Sequence, residues 1–296
     1  MTTCDILYTA DEASLPANLP TLEEIEAATE ILSDRTQCKV VGIGVHFVVK
    51  YGAQVDKLEG ETTLFLGQST CVPVPRVYAL FQTPYRDIKR TYIIMERIRG
   101  PTLASEWPKM NRASKVAVSA KLRIIFEDMR KLESPGGYCS LSHQGLPDGL
   151  FWTMDPSKPF TGPFDTEEEL NNAMVAKQLQ DGCSKHQANY FARTYKEFFI
   201  NHAPVFSHGD FQRKNIMIRN SPMVEGKEAQ WDVTHPDIVI IDWEYAGWYP
   251  SYWDYARAIY ACGRWEDDWN EWVEQFLEPF RNEYAWMELL LRILWT

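Results

Sequence analysis

Three stretches of the 296-residue chain hold side chains whose types and spacing could do chemistry: Ser207-His-Gly-Asp-Phe-Gln-Arg-Lys-Asn215, Ile238-Val-Ile-Ile-Asp-Trp-Glu244 and Val48-Val-Lys50. Transfer of a phosphoryl group asks for a group beside the attacking hydroxyl, oxygen ligands for magnesium, and a cation on the nucleotide phosphates. An aspartate followed by four residues and an asparagine can supply the first two from one loop. Asp210 would orient or deprotonate the hydroxyl, and Asn215 would reach a metal. An apolar strand that ends in Asp242 would set a second carboxylate at a sheet edge, facing the same ion. Carboxylate and amide oxygens suit magnesium, which keeps its other positions for water and phosphate.

Each piece alone has a plainer reading. The Asp-x4-Asn spacing arises by chance, an aspartate at a strand end is often a turn former, and Lys50 could be a solvated charge. A lone His208 is more often structural than catalytic. Their order is what is specific: His-Gly-Asp-x4-Asn, a short apolar strand, a polar excursion, then Ile-Ile-Asp-Trp-Glu.

The elements that must position these residues change character along the chain. Leu22, Ile25, Ala28 and Leu32 recur at helical spacing and predict an opening helix over 22–32. Lys39 to Lys50 is rich in β-branched residues and broken at Gly42 and Gly44, which predicts two short strands, the second over 46–50. Glu59 to Leu66 suits a helix, and 76–81 and 91–96 read as strands separated by a polar loop. From Gly100 onward the pattern is helical, with Val118, Leu122, Ile125, Phe126, Met129 and Leu132 on one face. Ser134 to Pro163 is a long loop rich in Gly, Pro and aromatic residues, of a length that usually has a functional reason. Asp165 with Glu168 has capping-box spacing, and a further helix is expected over 186–202. Short strands over 216–218 and 238–241 precede a Trp-rich helical end. The expected architecture is α+β and two-lobed: a small β-rich part over 1–98 and a larger helical part over 99–296.

Composition narrows the partners. Forty-one Asp and Glu against 30 Lys and Arg give a formal charge of −11, a field that repels a phosphate polymer and argues against nucleic acid. Six cysteines are scattered without a Cys-x-x-Cys pair and read as free thiols of a reducing compartment. Asp5, Asp11 and Glu12 stand where a signal peptide would carry basic residues. No apolar run approaches the length of about 20 residues that spans a bilayer. The expectation is a cytoplasmic protein without a membrane role.

Together the motifs resemble the aminoglycoside phosphotransferase and choline kinase superfamily. The resemblance covers most of the chain: the Lys50 strand, Glu59-Gly-Glu-Thr-Thr-Leu-Phe-Leu66, Val72-Pro-Val-Pro-Arg-Val77, Ile94-Met-Glu-Arg-Ile-Arg-Gly100, Gly162-Pro-Phe164, His208-Gly-Asp210, Asp242-Trp-Glu-Tyr-Ala-Gly247 and Pro250-x-x-Trp-Asp254. It implies a protein-kinase-like fold and an ATP- and magnesium-dependent kinase acting on a hydroxyl of a small molecule. By that resemblance Asp210 is the catalytic aspartate, and Asn215 and Asp242 are the magnesium ligands. Lys50 lies on the nucleotide phosphates with Glu59 or Glu61 as its helix partner, and Met95, Glu96 and Ile98 belong to the adenine hinge. His208 and Asp254 would support the catalytic loop from behind. The sequence departs from the wider pattern in one place. A full glycine-rich phosphate loop is missing, and only Gly42-Ile-Gly44 remains, within a hairpin of about minimal length. This keeps open a second reading, a kinase-like binding or regulatory protein that has lost turnover.

The aromatic residues divide. Trp265, Trp269, Trp272 and Phe276 share one helical face, which favours core packing over a cage for a cationic ligand. For Trp243, Trp248 and Trp253, bordering the acceptor and plain packing are both open. Phe151 and Trp152 sit in the long loop, where exposed aromatics without a core partner would be acceptor-site candidates.

Overall fold

The structure, a computed structural model, describes residues 4–86, 88–153, 160–221, 231–263 and 265–294. Parts of the 134–163 loop and of the polar excursion after residue 219 lie outside the described residues. The chain forms two compact units. One lies within Met1–Pro101, Met217–Trp231 and Asp237–Glu244, and the other within Thr102–Ile216, Asp232–Pro236 and Tyr245–Thr296. The first unit therefore gathers segments from beyond residue 98. Backbone bonds explain part of this: Ile218 N donates to Pro101 O, Asn220 N to Arg99 O and Ile240 N to Pro73 O.

The first unit is built on β1 (Asp5–Thr9), α1 (Leu22–Glu26), β2 (Glu30–Arg35), β3 (Cys38–Ile43), β4 (Phe47–Gly52), α2 (Lys57–Ser69), β5 (Val77–Tyr85) and β6 (Ile88–Glu96). Its six strands form one antiparallel sheet in the order β1-β5-β6-β4-β3-β2. The opening helix is shorter than its spacing predicts. Ile25 is buried, but the chain leaves the helix after Glu26 and becomes the edge strand β2, with Ile31 and Leu32 exposed. The polar loop expected between 81 and 91 is a tight hairpin, with Tyr85 paired to Ile88.

Strand alternation decides where Lys50 points. Phe47, Val49 and Tyr51 enter one core with Ile25, Val41, Tyr92 and Ile94. A period of two then turns Lys50 to the opposite face of the sheet. There α2 packs, over Val55, Val77, Leu80 and Ile93. The approach is close: a Cβ on Gly60 would lie 2.8 Å from Leu80 Cδ1. The helix begins cleanly because the Asp56 side chain accepts from Leu58 N at 2.9 Å.

After Pro101 come α3 (Leu103–Glu106), α4 (Arg112–Met129), α5 (Glu167–Gln180), α6 (Lys185–Phe198), β7 (Pro204–Ser207), β8 (Ile216–Arg219), β9 (Asp237–Ile240), β10 (Gly247–Pro250), α7 (Trp253–Tyr260), α8 (Trp269–Phe276) and α9 (Arg281–Leu294). β8 pairs with β9, and β7 pairs antiparallel with β10. α4 buries Val118, Leu122, Ile125, Phe126 and Met129. The capping box of α5 sits one residue later than expected, on Thr166 and Glu169. In α8, Trp269 and Phe276 are core residues, and Trp269 meets Trp107 edge-on at 4.8 Å. Trp265 stands ahead of that helix, half exposed.

One buried polar cluster ties α5, α7, α9 and the 201–203 segment together. His202 Nδ1 lies 2.6 Å from Glu167 Oε1, and its Nε2 lies 3.4 Å from Glu283 Oε1. The ring packs edge-on against Tyr252, and Tyr138 donates to His202 O at 2.6 Å. Burial disfavours the charged imidazole, but the two carboxylates outweigh it and raise its pKa above the ordinary histidine value. A raised histidine pKa contributes stability that is complete below the unfolded value of about 6.5 and is lost as pH rises through the folded value. His202→Gln is therefore expected to lower the thermal midpoint at pH 6, by roughly 2–4 °C per kcal/mol lost in domains of comparable size. The gap to wild type should narrow toward pH 9. Melting curves across that range check it, and a constant gap would mean that the imidazolium is not the stabilising species.

Candidate active site

In the first unit the chemistry gathers on one ammonium group. Lys50 Nζ lies 2.6 Å from Asp242 Oδ1, 2.8 Å from Glu59 Oε2 and 3.1 Å from Glu244 Oε2. Glu59 is the helix partner. Glu61 faces away and pairs instead with Lys57 at 2.8 Å. Burial would depress the lysine, but Glu59, Asp242 and Glu244 outweigh it and hold its pKa above the usual value, so it stays charged. Burial pushes the Glu59 carboxyl up to about 7, against the pull of Lys50. Its Oε2 is an ion-pair partner of Nζ without an aligned hydrogen bond among the described residues.

Asp242 reaches Lys50 from a strained backbone. It follows β9 with φ at +68°, a left-handed conformation that aspartate tolerates better than most side chains. Such outliers persist where surrounding structure over-determines them. Here the next residue does so: Trp243 is buried, and its indole donates to Ile240 O at 2.9 Å. One oxygen from each of Glu59, Asp242 and Glu244 lies within 4.8 Å of the others. This all-oxygen set fits a hard divalent cation.

In the second unit β7 and β10 carry the loop that holds Asp210, with Ser207 opposite Gly247. Gly209 has φ at +80°, and a Cβ there would lie 2.2 Å from Tyr245 O. Both its backbone groups are held. Gly209 N donates to Asp254 Oδ1 at 3.2 Å, and Arg257 Nε donates to Gly209 O at 3.0 Å. Asp254 is buried and pairs with Arg130, which also donates to Phe206 O. Arg257 pairs with the buried Asp148 at 3.4 Å, which also accepts from Trp253 Nε1. His208 is buried, and its Nδ1 accepts from Asp210 N at 3.3 Å.

The Asp210 carboxylate accepts from Gln212 Nε2 at 2.7 Å and from Asn215 Nδ2 at 3.2 Å. Asn215 also donates to Asp210 O at 3.0 Å. Its amide nitrogen thus faces Asp210, which makes its carbonyl oxygen the atom able to serve as a ligand.

The remaining sequence candidates are placed as follows. Met95, Glu96 and Ile98 are half-buried at and after the end of β6, where Glu96 accepts from Arg219 at 2.5 Å and from Arg76 N at 3.3 Å. Trp248 is buried against Phe206 and donates to Leu132 O at 3.2 Å, so it and Trp243 both serve as packing residues here. The expected exposure of Phe151 does not hold. A 3-10 turn over Gly149–Phe151, capped by Asp148, folds its ring onto Trp253 at 6.0 Å, fully buried. Trp152 is exposed. Sequence reasoning missed Glu244, Arg257, Asp148, Arg130 and Gln212. A signal existed for Arg257, three residues from Asp254 and thus on the same helical face.

The model of the phosphotransferase enzyme family matches residues 57–290, and the chain belongs to that family. Solved structures share its fold, α+β and protein-kinase-like. The aminoglycoside phosphotransferase APH(4)-Ia is similar at TM-score 0.56 and 15% identity, over 92% of this chain and 85% of that one. The streptomycin–ATP–APH(2'')-IIa ternary complex is similar at TM-score 0.54 and 15% identity, over 94% and 90%. The GDP complex of aminoglycoside 2'-phosphotransferase-IIIa follows at TM-score 0.57 and 12% identity, over 89% and 83%. No protein among the curated ones matches this sequence significantly. Among the described residues no helix is long and apolar enough to cross a membrane.

The loop geometry yields a direct test. Gly209→Ala forces a left-handed alanine, about 1–2 kcal/mol, and adds a clash with the Tyr245 carbonyl. Urea denaturation should show a loss above about 1 kcal/mol. A variant as stable as wild type would mean that this backbone is freer than the geometry requires.

Proposed function

We propose that this chain transfers the γ-phosphoryl group of ATP to a hydroxyl of a small molecule, with magnesium. The observation that carries the reading is Lys50, a charged ammonium held on the α2-covered face of the sheet by Glu59 and Asp242. Burying a lysine among carboxylates does little for stability compared with apolar packing, so a charge kept there calls for a functional reason. Lys50 is suited to the α/β-phosphates, with Glu59 fixing its direction. Asp210, oriented by Gln212 and Asn215, would accept the hydrogen bond of the acceptor hydroxyl and hold its oxygen for attack. Asp242 and the Asn215 carbonyl are the oxygen donors assigned to magnesium, with Glu244 beside Asp242. Bound there, the ion supplies charge neutralisation on the phosphates. Neighbours solved with streptomycin and ATP, with AMP-PNP and hygromycin B, and with GDP and kanamycin are consistent with nucleotide use and a small-molecule acceptor.

A second reading, a binding protein without turnover, is favoured by one feature. The β3–β4 connection is only three residues, 44–46, with Ile43 already paired to Phe47. Kinetics separate the two. Asp210→Asn should keep its fold by circular dichroism and lose turnover by roughly 10²–10⁴-fold. Nucleotide binding by wild type without ATP consumption on any hydroxylated acceptor of a broad panel would favour the binding reading.

The metal assignment is tested by nucleotide titration with and without magnesium. Asp242→Ala should weaken the magnesium-dependent binding more than the metal-free binding, and Asn215→Ala should do the same to a smaller extent, since an amide carries no formal charge. Equal losses in both buffers would remove these two residues from the metal.

A further inference from the structure

The cage around Lys50 has more negative groups than a lysine partner needs. The ammonium donates hydrogen bonds to Asp242 Oδ1 and Glu244 Oε2, at 2.6 and 3.1 Å. Glu59 Oε2, on a residue only 4% exposed, lies at 2.8 Å without a hydrogen bond among the described residues. Three carboxylates gathered within 4.8 Å repel one another unless a cation sits among them. Lys50 is that cation, and it sits on Asp242, the residue that the proposed function assigns to magnesium. Magnesium takes its oxygen ligands at about 2.0–2.1 Å. An ammonium already 2.6 Å from Oδ1 occupies that side of the oxygen and repels a second cation.

We propose that Lys50 and the divalent ion compete for one acidic cage, with Glu244 as the wall that retains Lys50, so that metal binds only when nucleotide phosphates draw the ammonium away. The proposal rests on the reading that Lys50 serves the phosphates and Asp242 the metal. It makes the lysine a guard against nonproductive metal binding as well as a phosphate ligand. Glu244 then acts twice, holding Lys50 in the free protein and offering its carboxylate to the ion once Lys50 has left.

The test is a manganese titration of the full chain without nucleotide, following free Mn²⁺ by paramagnetic resonance. Wild type should leave the ion free at sub-millimolar concentration and bind it when ADP is added. Lys50→Met should bind one Mn²⁺ without nucleotide, at least tenfold tighter than wild type, and Lys50→Met with Glu244→Gln should lose that gain. Lys50→Gln, which keeps an amide donor for one carboxylate, replaces Lys50→Met if that variant does not fold. Wild type binding Mn²⁺ alone as tightly as Lys50→Met, or a gain that survives Glu244→Gln, overturns the competition. Mn²⁺ bound by the lysine variant but never by wild type with ADP would leave the cage standing and sink the phosphotransferase reading instead.

Discussion

An ammonium group removed from water must find compensating charge, and the architecture of the first unit follows from meeting that demand at one point. Period-two alternation along β4 sends Phe47, Val49 and Tyr51 into one core and leaves Lys50 on the other face. α2 must then bring an acid to that face from its first turn, and Gly60 lets it pack close enough for Glu59 to reach. The remaining charge comes from far along the chain. Asp242 and Glu244 arrive on the segment after β9, whose backbone is fastened to Pro73. This is why residues 237–244 belong with the sheet although most of their sequence neighbours belong with the helices.

The second unit solves a different problem, the fixing of a loop with few residues of its own. Gly209 is held at both its N–H and its carbonyl, by Asp254 and Arg257 from successive turns of α7. Each of these charged groups is in turn compensated, Asp254 by Arg130 and Arg257 by Asp148. Such buried pairs are weak sources of net stability, but removing one partner strands the other, which gives them directional control. Asp210 inherits its position from this chain of pairs, while Gln212 and Asn215 set the direction of its carboxylate.

The residues most legible in the sequence were those whose motif is local. Asp210 and Asn215 share a loop, and Lys50 and Asp242 each end or occupy an apolar strand. The choice between Glu59 and Glu61 stayed open in the sequence, and burial decides it. Glu59, Thr62, Thr63 and Leu66 are the buried face of α2, with the i, i+3, i+4, i+7 spacing that places Glu61 outside it. β1 and β2 were not legible because edge strands expose one side, so Ile31 and Leu32 carry no inward pattern, and Leu32 falls in phase with the helical spacing of Leu22, Ile25 and Ala28. β7 and β10 are four residues each, too short for any period to show. Phe151 was misjudged for a tertiary reason: a loop residue becomes a core residue when Asp148, buried for the sake of Arg257 and Trp253, caps the turn that carries it.

The short β3–β4 hairpin has the least kinase-like look of any part, and its side chains explain how it can still serve. Arg97 pairs with Glu30 and donates to Gly44 O at 2.7 Å, so the tip is tied to β2 and to the segment after β6. Gly44 itself is left-handed, at φ +55°, with open space where a Cβ would stand. A three-residue turn held this way offers few backbone N–H groups to phosphate, and a longer glycine loop would offer more. On the phosphotransferase reading the phosphates must then be held chiefly by charge, from Lys50 and from the ion between the acidic residues. That places a heavy demand on Lys50 being available at the right moment. A lysine held by Asp242 and Glu244 until phosphate arrives would meet that demand, since those two carboxylates would pass to the metal when it moves while Glu59 keeps its direction.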